Sequence, residues 1–510
     1  MISTRFLKSA KVLVWLILLI FYSFVLLRPI NLVTADLGRH IKNGELVWQT
    51  LGILKTNFYS YTYPDFSFVN HHWLSGVIFY FIWLLAGFVG LEIFFWLISL
   101  ITFSIFFYLG ARKSSATVLL ALGLACLPLL AIRTEIRPEM FSYLFFAVSL
   151  LFWTKFKEGR LTFKKLCLIL LALQVLWVNL HILFILGPII AAIFALADLI
   201  RKGWRNSLVK KQWLLVPAIG LISLLNPSGI RGMFLPATIW RNYGYRILEN
   251  QTIWFLDKVL PQPSLTLFKI LFLIWLLSFL SAVVIKRRLS WANLLLSVVI
   301  WLLAWGQFKN LALFSFCLLA LAAQNLETVL SHFRSDRLVV KSTVVTIAAV
   351  LLFTFGQVGT YFNSIGFGLY EKNQSAANFF KDQNIQGPIF NNYDIGGYLI
   401  FYLWPKKVFV DNRPEAYPAS FFQNVYIPMQ EQEAVWQEQS RQYNFNAIVF
   451  GYRDRTPWAQ NFLGQRLSDS SWAPVWADQW VLILLRRNEL NQSIIDRFEI
   501  PKSAFNFKAN

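Results

Sequence analysis

Long apolar runs alternate with short, mostly polar and basic segments as far as about residue 357. Most runs extend for roughly 15 to 22 residues, which is enough for a helix to cross a bilayer. The pattern predicts membrane spans at about 11–29, 90–110, 116–132, 139–154, 164–180, 182–200, 212–226, 266–285, 290–306, 310–326 and 341–358, with a further apolar stretch at 74–88. The first run lacks a small-x-small cleavage site, so we expect a retained helix rather than a signal peptide.

The character of the chain changes after residue 358, where short β-rich runs are separated by Gly, Pro and Asn. Three such runs are KKVFVD, NAIVF and WVLILL. We therefore expect residues 1–358 to form a transmembrane domain, with outer loops at 30–73 and 227–265, and residues 359–510 to form a small C-terminal α/β domain. The predicted fold class is a mainly α, polytopic membrane protein with about 11 to 13 transmembrane helices.

The composition excludes a soluble protein. Hydrophobic residues make up 57% of the chain, charged residues only 14%, and the mean hydropathy is +0.53. A soluble protein would carry about 25% charged residues. The three cysteines all fall within apolar runs, so neither a disulfide framework nor a cysteine metal site is indicated.

The net charge of +21 is confined to the first part of the chain. Residues 359–510 contain 14 Lys+Arg and 14 Asp+Glu, so the whole excess lies before residue 359. A basic excess in short loops marks the cytoplasmic side of a membrane protein. A nucleic-acid partner is disfavoured, because the chain carries no compact basic and aromatic patch.

Basic clusters fix the expected sidedness. They lie at the N-terminus and at 112–113, 155–165, 201–211, 286–288 and 334–341. If all are cytoplasmic, the N-terminus is cytoplasmic, whereas the loop after the first span and the C-terminal domain are extracytoplasmic. An odd number of crossings must then lie between the first outer loop and residue 112, so we expect one of the stretches 74–88 and 90–110 to be re-entrant, interfacial or merged into one long tilted helix. The prediction is about 11 crossings, with about 13 as the alternative.

Titratable and polar residues collect in the segments expected on the outer side. They are Asp36, Arg39, His40, Glu45, Asn70, His71, His72, Arg133, Glu135, Arg137, Glu139, Asn179, His181, Arg231, Arg241, Arg246 and Glu249. Polar groups gathered at one end of membrane spans favour a functional site. The alternative is that they anchor helices at the level of the lipid headgroups.

Such residues suit group transfer at the membrane surface. A carboxylate can act as a general base on an acceptor hydroxyl, and arginines can hold a phosphate or diphosphate leaving group bidentately. A lipid-linked substrate would present its phosphate at this depth. No metal site is predicted, because the histidines lack HExxH or another compact ligand spacing. The cofactors are not determined by the sequence: a divalent cation is compatible with it but is not required by it.

Asp36 and His40 lie four residues apart in a segment whose sequence predicts a helix, so both would face the same way. A base and a partner that orients it could then point into one cavity. Alternatively, Asp36 caps the helix by accepting bonds from backbone N–H groups. The two roles are compatible with each other.

Two short motifs mark the C-terminal domain. Alternation in VFVDNR points Asp411 and Arg413 to the same side, which favours a structural ion pair beside a turn over a role in acceptor recognition. The pair Gly396-Gly397 indicates a turn more than a phosphate-binding loop.

The arrangement resembles the GT-C class of integral-membrane glycosyltransferases, which includes the protein O-mannosyltransferases and the enzyme that transfers aminoarabinose to lipid A. The common features are an acid just after the first span, an amphipathic outer loop, many spans and an outer C-terminal domain. The chain also resembles bacterial membrane proteins of that class in the stretches DLGRHIKNGELVWQTLGILKTNFYSYTYPDFSFVNHHWLSG, RPEMFSYLF, WVNLH, LLNPSG and FNNYDIGGYLIFYLWPKKVFVDNRPEAY.

The resemblance implies transfer of a sugar, with inversion, from a polyprenyl-phosphate carrier on the extracytoplasmic face of the bacterial inner (plasma) membrane. Asp36 would take the place of the catalytic acid, with Glu139, or alternatively Glu135, as a second polar residue. The implied partners are a lipid-linked sugar donor, membrane lipid, and a glycan, lipid or protein acceptor. The mannosyltransferases carry paired acids after the first span, whereas here Leu37 follows Asp36, and His40 is the candidate for the second role.

The expected site therefore has two sets of residues. The catalytic candidates are Asp36, His40 and Glu139, and the candidates for substrate binding are His71, His72, Arg137, Asn179, His181, Arg246 and Glu249. Among these, Arg137 and Arg246 are assigned to the carrier phosphate because of their chemistry.

A transporter and a membrane-anchored assembly or sensor protein are the two alternative functions. A transporter or flippase of a lipid-linked glycan would more often show inverted repeats and broken helices at the bilayer midplane, whereas these spans are strongly apolar in their middle. An assembly or sensor protein that uses its spans as an anchor would not need acids, histidines and arginines to recur in the outer loops. Both are therefore less favoured than a glycosyltransferase.

Overall fold

The apolar runs form helices where the sequence predicts them. The computed structural model describes residues 4–238, 242–286, 289–332, 356, 359 and 364–505. Up to residue 332 its helices are α1 (Thr4–Leu26), α2 (Leu37–Thr50), α3 (Trp73–Ala111), α4 (Ala116–Leu130), α5 (Glu139–Lys157), α6 (Phe163–Leu180), α7 (Leu186–Lys202), α8 (Ser207–Ile222), α9 (Gly229–Met233), α10 (Ile253–Val259), α11 (Pro263–Lys286), α12 (Trp291–Gly306), α13 (Leu311–Leu321) and α14 (Ala323–His332). The predicted span at 341–358 lies, except for residue 356, outside the described residues.

Among the described residues, five helical segments are long and apolar enough to cross a membrane. They are Ser9–Leu26, Trp73–Ala111, Phe163–Leu180, Ile182–Lys202 and Pro263–Ile285. The pair Phe308–Leu321 and Ala323–His332, bent by 44°, is a sixth candidate if it forms one span. The prediction of a mainly helical, polytopic membrane protein is confirmed, while the number of crossings stays a prediction.

The apolar stretches 74–88 and 90–110 lie in one helical run, α3. That run consists of two helices joined across a kink, and which of the three expected arrangements they adopt in the membrane stays a prediction. The run is broken at Gly87, where φ is 62° and ψ is −158°. Because residues with a Cβ rarely adopt this φ, glycine at this position allows the break.

The chain packs as two compact units, and each is assembled from separate segments. Unit 1 contains Met1–Pro29, Leu91–Pro236 and Ile247–Phe367, and unit 2 contains Ile30–Gly90, Ala237–Arg246 and Gly368–Asn510. The predicted outer loop 30–73 therefore belongs to the same unit as the C-terminal segment. Packing units do not decide which segments fold independently, so the boundary at residue 358 stays a prediction.

Unit 2 contains a four-stranded sheet with the strand order β1-β2-β4-β3. β1 pairs with β2 in parallel, whereas β4 is antiparallel to both β2 and β3. The strands are β1 (Ile389–Asn391), β2 (Ala447–Gly451), β3 (Trp472–Ala477) and β4 (Val481–Arg486), and the accompanying helices are α15 (Ser375–Asp382), α16 (Gly396–Leu403), α17 (Ala419–Phe421), α18 (Pro428–Glu431), α19 (Glu433–Gln442), α20 (Ala459–Ser468) and α21 (Gln492–Phe498).

Two of the three β-rich runs supply strands of this sheet. NAIVF and WVLILL overlap β2 and β4, whereas KKVFVD makes only an isolated parallel bridge between Val408 and Ser60. The side chain of Asn391 accounts for the difference. Its amide donates to the Val410 carbonyl oxygen at 2.8 Å, and its oxygen accepts from the Phe409 N–H at 2.9 Å. A side chain, instead of a neighbouring strand, therefore satisfies these backbone groups.

Within unit 2, α2 crosses the start of α3 at two glycines. A Cβ added to Gly44 would lie 2.0 Å from the Gly76 carbonyl oxygen, and one added to Gly76 would lie 2.8 Å from the His40 carbonyl oxygen. The two backbones are therefore in direct contact, which residues with a side chain would prevent. This contact fixes the helix that follows Asp36.

Gly44→Ala should therefore destabilise the protein. Overpacking of this kind costs about 1–3 kcal/mol. Gly52→Ala is the matched control, because a Cβ at Gly52 would meet its nearest neighbouring atom at 3.6 Å. Thermal unfolding of both purified variants in the same detergent measures the difference, and a Gly44→Ala midpoint equal to that of the wild type would contradict the backbone contact.

Candidate functional site

Asp36 immediately precedes α2, but its carboxylate does not cap the helix. The residue has φ −68° and ψ −8°, and its side chain makes no hydrogen bond to the first N–H groups of α2. Instead, Oδ1 of Asp36 accepts a hydrogen bond from the side-chain amide of Asn412. The oxygen of that amide accepts a hydrogen bond from Arg39 Nε at 2.8 Å. The capping alternative is therefore wrong for the carboxylate of Asp36, which is half-buried.

Asn412 belongs to a loop that a buried ion pair holds in place. Arg413 binds Asp411 bidentately, and both N–O distances are 2.7 Å. Arg413 Nη2 also donates to Asn57 Oδ1 at 2.6 Å, and the Tyr417 hydroxyl donates to Asp411 Oδ2 at 3.0 Å. The structural ion pair predicted from VFVDNR is confirmed, and both of its side chains are almost completely shielded from solvent.

Aromatic rings complete the environment of this ion pair. The guanidinium carbon of Arg413 lies 5.1 Å from the ring centroid of Tyr59 and 4.8 Å from that of Phe68. Cations placed over aromatic faces are stabilised by the ring quadrupole. Burial lowers the pKa of the Arg413 guanidinium, but the adjacent Asp411 carboxylate outweighs this and raises the pKa above its usual value.

The double glycine at the start of α16 makes room for this loop. A Cβ added to Gly396 would lie 2.5 Å from the Val410 carbonyl oxygen and from the Asp411 Cα. A Cβ added to Gly397 would lie 3.1 Å from Asn412 Nδ2. Both glycines lie within the helix, so they permit the close approach of a helix to a loop. The interpretation of this pair as a tight turn is wrong.

Three of the predicted histidines lie close together in unit 2. His40 is buried, and its ring centroid lies 5.5 Å from that of His72 and 6.2 Å from that of Phe79. The ring centroids of His71 and His72 are 3.7 Å apart, and Nδ1 of His71 lies 3.2 Å from the Val69 carbonyl oxygen. The segment NHHW thus packs against α2. The role of His40 as a partner of Asp36 stays a prediction.

In unit 1, three candidate site residues lie around Arg133, which the sequence placed on the outer side but not among the candidates for catalysis or substrate binding. Its Nε and Nη2 atoms lie 2.5 and 2.6 Å from the two carboxylate oxygens of Glu139, and Nη1 lies 2.5 Å from Glu249. Arg137 Nη1 lies 2.9 and 3.1 Å from the two oxygens of Glu249, and Arg137 Nη2 lies 2.7 Å from Glu135. Glu249 therefore bridges two guanidinium groups.

The neighbouring cations keep Glu249 ionised. Burial by itself raises the pKa of the Glu249 carboxyl, but the charges of Arg133, Arg137 and Lys309 outweigh it and hold the pKa well below its usual range. Hydrogen bonds to a charged carboxylate favour the charged form in the same way.

A narrow cavity adjoins this cluster within unit 1. Arg133, Arg137 and Glu139 contribute charged groups to its lining, and Tyr22 from α1 and Phe316 from α13 contribute aromatic walls. The cavity therefore joins a charged end to an apolar interior.

Asn179 and His181 lie in a hydrogen-bonded junction after α6. Nδ2 of Asn179 donates to the Leu225 carbonyl oxygen at 2.9 Å. Nδ1 of His181 lies 2.7 Å from Ser142 Oγ, and Trp177 Nε1 donates to the same hydroxyl at 2.7 Å. Since Nδ1 of His181 also accepts the Leu183 backbone N–H at 3.4 Å, it is the acceptor and the Ser142 hydroxyl donates to it. These contacts connect helices, and the predicted role in substrate binding stays a prediction.

Arg246 is exposed at the end of the segment 237–246 in unit 2. The preceding residue, Tyr245, stacks on Tyr393 with the ring centroids 4.2 Å apart, which attaches this segment to the C-terminal part of the unit. Arg241, which the sequence places on the outer side, lies outside the described residues.

The structure thus distributes the predicted residues over both units. Unit 2 holds Asp36, His40, His71, His72 and Arg246, and unit 1 holds Arg137, Glu139, Asn179, His181 and Glu249. Sequence reasoning omitted Arg133 and Asn412 from the site. Their signals were present, because RTEIRPEM places Arg133 on the same short segment as Arg137 and Glu139, and DNR places Asn412 inside an ion pair. In the part of the chain that the structure describes, no group of three or more His, Cys, Asp or Glu side chains is arranged to hold a metal ion.

Comparison with known proteins identifies the fold. No protein-family description and no curated protein matches the sequence. The archaeal oligosaccharyltransferase AglB from Archaeoglobus fulgidus, solved with an inhibitory peptide and a dolichol-phosphate, is similar in structure, with a TM-score of 0.58 and 11% identity over 92% of this chain and 73% of that chain. ArnT from Cupriavidus metallidurans in the apo state has a TM-score of 0.52 and 12% identity over 95% of this chain and 99% of that chain.

The arabinofuranosyltransferase AftD from Mycobacteria has a TM-score of 0.50 and 13% identity, and the match covers 95% of this chain but 42% of that chain. All three are GT-C glycosyltransferases. The predicted resemblance to the GT-C fold is therefore confirmed.

Glu249→Gln should lower thermal stability at neutral pH by about 1–3 kcal/mol, because Arg133 and Arg137 lose a charged acceptor. The pKa of Glu249 is depressed in the folded state, so its contribution is present above the unfolded pKa of about 4.3 and is lost as the pH falls toward the folded value. The difference between variant and wild type should therefore shrink below about pH 4.

Thermal unfolding across this pH range measures the effect. Glu135→Gln is the control, because that carboxylate also pairs with Arg137 but is 43% exposed. Its loss should stay below about 1 kcal/mol. A Glu249→Gln deficit that is the same at acid and neutral pH would contradict the assigned electrostatics.

Arg413→Ala should destabilise the protein by about 3–5 kcal/mol, because it leaves the Asp411 carboxylate buried without its counter-charge. Arg487→Ala is the control in the same unit, since Arg487 pairs with Glu499 at the surface. Its loss should stay below about 1 kcal/mol. Denaturant unfolding in detergent gives both free energies, and equal losses would show that the buried pair is dispensable.

Proposed function

We propose that the protein is a glycosyltransferase that moves a sugar from a polyprenyl-phosphate carrier to an acceptor hydroxyl, with Asp36 as the catalytic base or the acid that binds the acceptor. The observation that carries this proposal is the position of the Asp36 carboxylate. It is half-buried at the start of α2, takes no part in capping that helix and is held by Asn412. The similarity of the fold to GT-C glycosyltransferases supports the same class of reaction.

In the proposed reaction, the Asp36 carboxylate takes the proton of the acceptor hydroxyl while the hydroxyl oxygen bonds to the anomeric carbon of the sugar. The bond between that carbon and the phosphate oxygen breaks, and the polyprenyl phosphate leaves with the electron pair. Attack from the face opposite the leaving group inverts the anomeric centre. A positioned general base contributes about 10²–10⁴-fold to such a rate.

The charged cluster of unit 1 is suited to the phosphate of the donor. Arg133 and Arg137 already direct guanidinium N–H groups at a carboxylate, and a phosphate presents similar acceptor geometry with more charge. The adjoining narrow cavity places the aromatic walls of Tyr22 and Phe316 beside these guanidinium groups. AglB was solved with a dolichol-phosphate, which belongs to this chemical class. We therefore assign Arg137, together with Arg133, to donor recognition, and we keep Glu139, which pairs with Arg133, as a catalytic candidate.

The other predicted residues retain proposed roles. We keep His40 as the candidate partner of Asp36 and keep His71, His72, Asn179, His181, Arg246 and Glu249 as candidates for substrate contacts. The proposal places the reaction on the extracytoplasmic face of a bacterial inner membrane, because the basic clusters mark the opposite side as cytoplasmic. The acceptor is a glycan, a lipid or a protein.

Asp36→Asn should reduce sugar transfer by at least about 10²-fold, because the amide cannot accept the proton. The assay compares purified wild type and variant with a panel of polyprenyl-phosphate sugars. Asp65→Asn is the matched control, since Asp65 is an exposed acid in the same unit and in the same outer loop. It should retain wild-type turnover.

The outcomes separate the competing functions. Equal turnover by wild type and Asp36→Asn would remove the catalytic role of Asp36. If the wild type transfers sugar from none of the donors but moves a lipid-linked glycan across liposome membranes, the protein is a transporter.

A further inference from the structure

We propose that Asn412 is a positioning residue for the reaction: it orients the Asp36 carboxylate and favours its ionised form, through a relay of side chains that begins at Arg39. This inference rests on the proposed role of Asp36 as a base. All three residues belong to unit 2, and 376 positions separate Asp36 from Asn412 in the sequence. Their contact is therefore a product of the tertiary fold.

The two partners of the Asn412 side chain determine the orientation of its amide. Arg39 Nε can only donate, so the atom that it meets at 2.8 Å must be the amide oxygen. The amide nitrogen then faces Asp36 Oδ1 and donates to it. A flipped amide would set its nitrogen against the guanidinium and its oxygen against the carboxylate, and both contacts would be repulsive. The positive charge on Arg39 polarises the amide and strengthens the bond to Asp36.

The residues on either side of Asn412 keep it from turning away. The backbone N–H of Asp411 donates to the Tyr417 hydroxyl at 3.0 Å, and the Asp411 carboxylate is locked to Arg413. Gly397 leaves the space that the Asn412 amide occupies, since a Cβ there would come within 3.1 Å of Nδ2. The loop thus presents one neutral donor to Asp36 from a fixed backbone.

Charged groups of both signs lie in the neighbourhood of Asp36. The titratable groups of this neighbourhood are Arg39 and His40 on α2, and Tyr393, Asp394, Asp411, Arg413 and Glu415 in the C-terminal segment. Asp411 is neutralised by Arg413, and Arg39 places a positive charge on the far side of the Asn412 amide. Nearby acids disfavour a further ionised carboxylate, whereas a hydrogen-bond donor favours it. Asn412 therefore presents a neutral donor to the carboxylate, and the charge of Arg39 acts on Asp36 through the polarised amide.

The test is the pH dependence of kcat for wild type, Asn412→Ala and Asn412→Asp with a donor that the wild type accepts. Asn412→Ala removes the donor, and Asn412→Asp replaces it with a second carboxylate. The acid limb of the profile should move to higher pH by about one unit in Asn412→Ala and further in Asn412→Asp, since the base then takes up its proton more readily. The KM for the lipid donor should change by less than about twofold, because the proposal has Asn412 act through Asp36 and not through the donor.

Asn461→Asp is the matched control, because it introduces the same charge on the exposed side of α20 in the same unit. It should have the wild-type profile. If both Asn412 variants lower kcat but leave the acid limb in place, Asn412 has only a structural role and the inference is wrong. Asn412→Ala decides the matter if Asn412→Asp does not fold. An inactive Asp36→Asn together with an unmoved limb overturns this inference alone, whereas an active Asp36→Asn overturns the proposed function.

Discussion

The buried ion pair between Asp411 and Arg413 is the interaction on which the surroundings of Asp36 depend. Two charges removed from water are costly unless their hydrogen-bonding groups are satisfied, and here Tyr417, Asn57 and two aromatic rings supply much of what water would. Such a pair tolerates little displacement. The residue between its two members, Asn412, therefore has a fixed position, and the hydrogen bond to Asp36 follows from it.

The charged cluster of unit 1 differs from this ion pair in how its side chains are paired. There the arginines and glutamates share partners, since Arg133 meets both Glu139 and Glu249, and Glu249 meets both Arg133 and Arg137. A shared network can exchange one anion for another with less disruption than an isolated pair, because each cation keeps a second partner. In the proposed function this cluster receives the donor phosphate, whereas the ion pair in unit 2 holds the Asn412 loop in place.

The membrane helices could be predicted from the sequence because a bilayer imposes a minimum length of apolar chain, and that length is visible in one dimension. The β-rich runs NAIVF and WVLILL were recognisable for a similar reason. KKVFVD was not distinguishable from them, because the side chain that takes up its backbone groups, Asn391, lies outside the run.

The candidate site was predictable only in part. The titratable residues of the outer segments pointed to Asp36 and to the group of Arg137, Glu139 and Glu249, because charged side chains are rare beside lipid. The partners were harder to find. Nothing local in DNRPEAY connects Asn412 with Asp36, and the two glycines of YDIGGY resemble a turn until the loop packed against them is known. Contacts between distant segments, and the glycines that permit them, depend on the tertiary fold.

The assembly of unit 2 from three segments has a consequence for biosynthesis. Asp36 leaves the ribosome 376 residues before Asn412, and at about 5–20 residues per second this interval is roughly 20 to 75 seconds. Throughout that time the first outer loop lacks the C-terminal partners that it has in the finished protein. A chain that ends before the DNR loop could insert its first spans, but its Asp36 would lack the hydrogen bond from Asn412. The proposed base would therefore become competent only when synthesis is nearly complete.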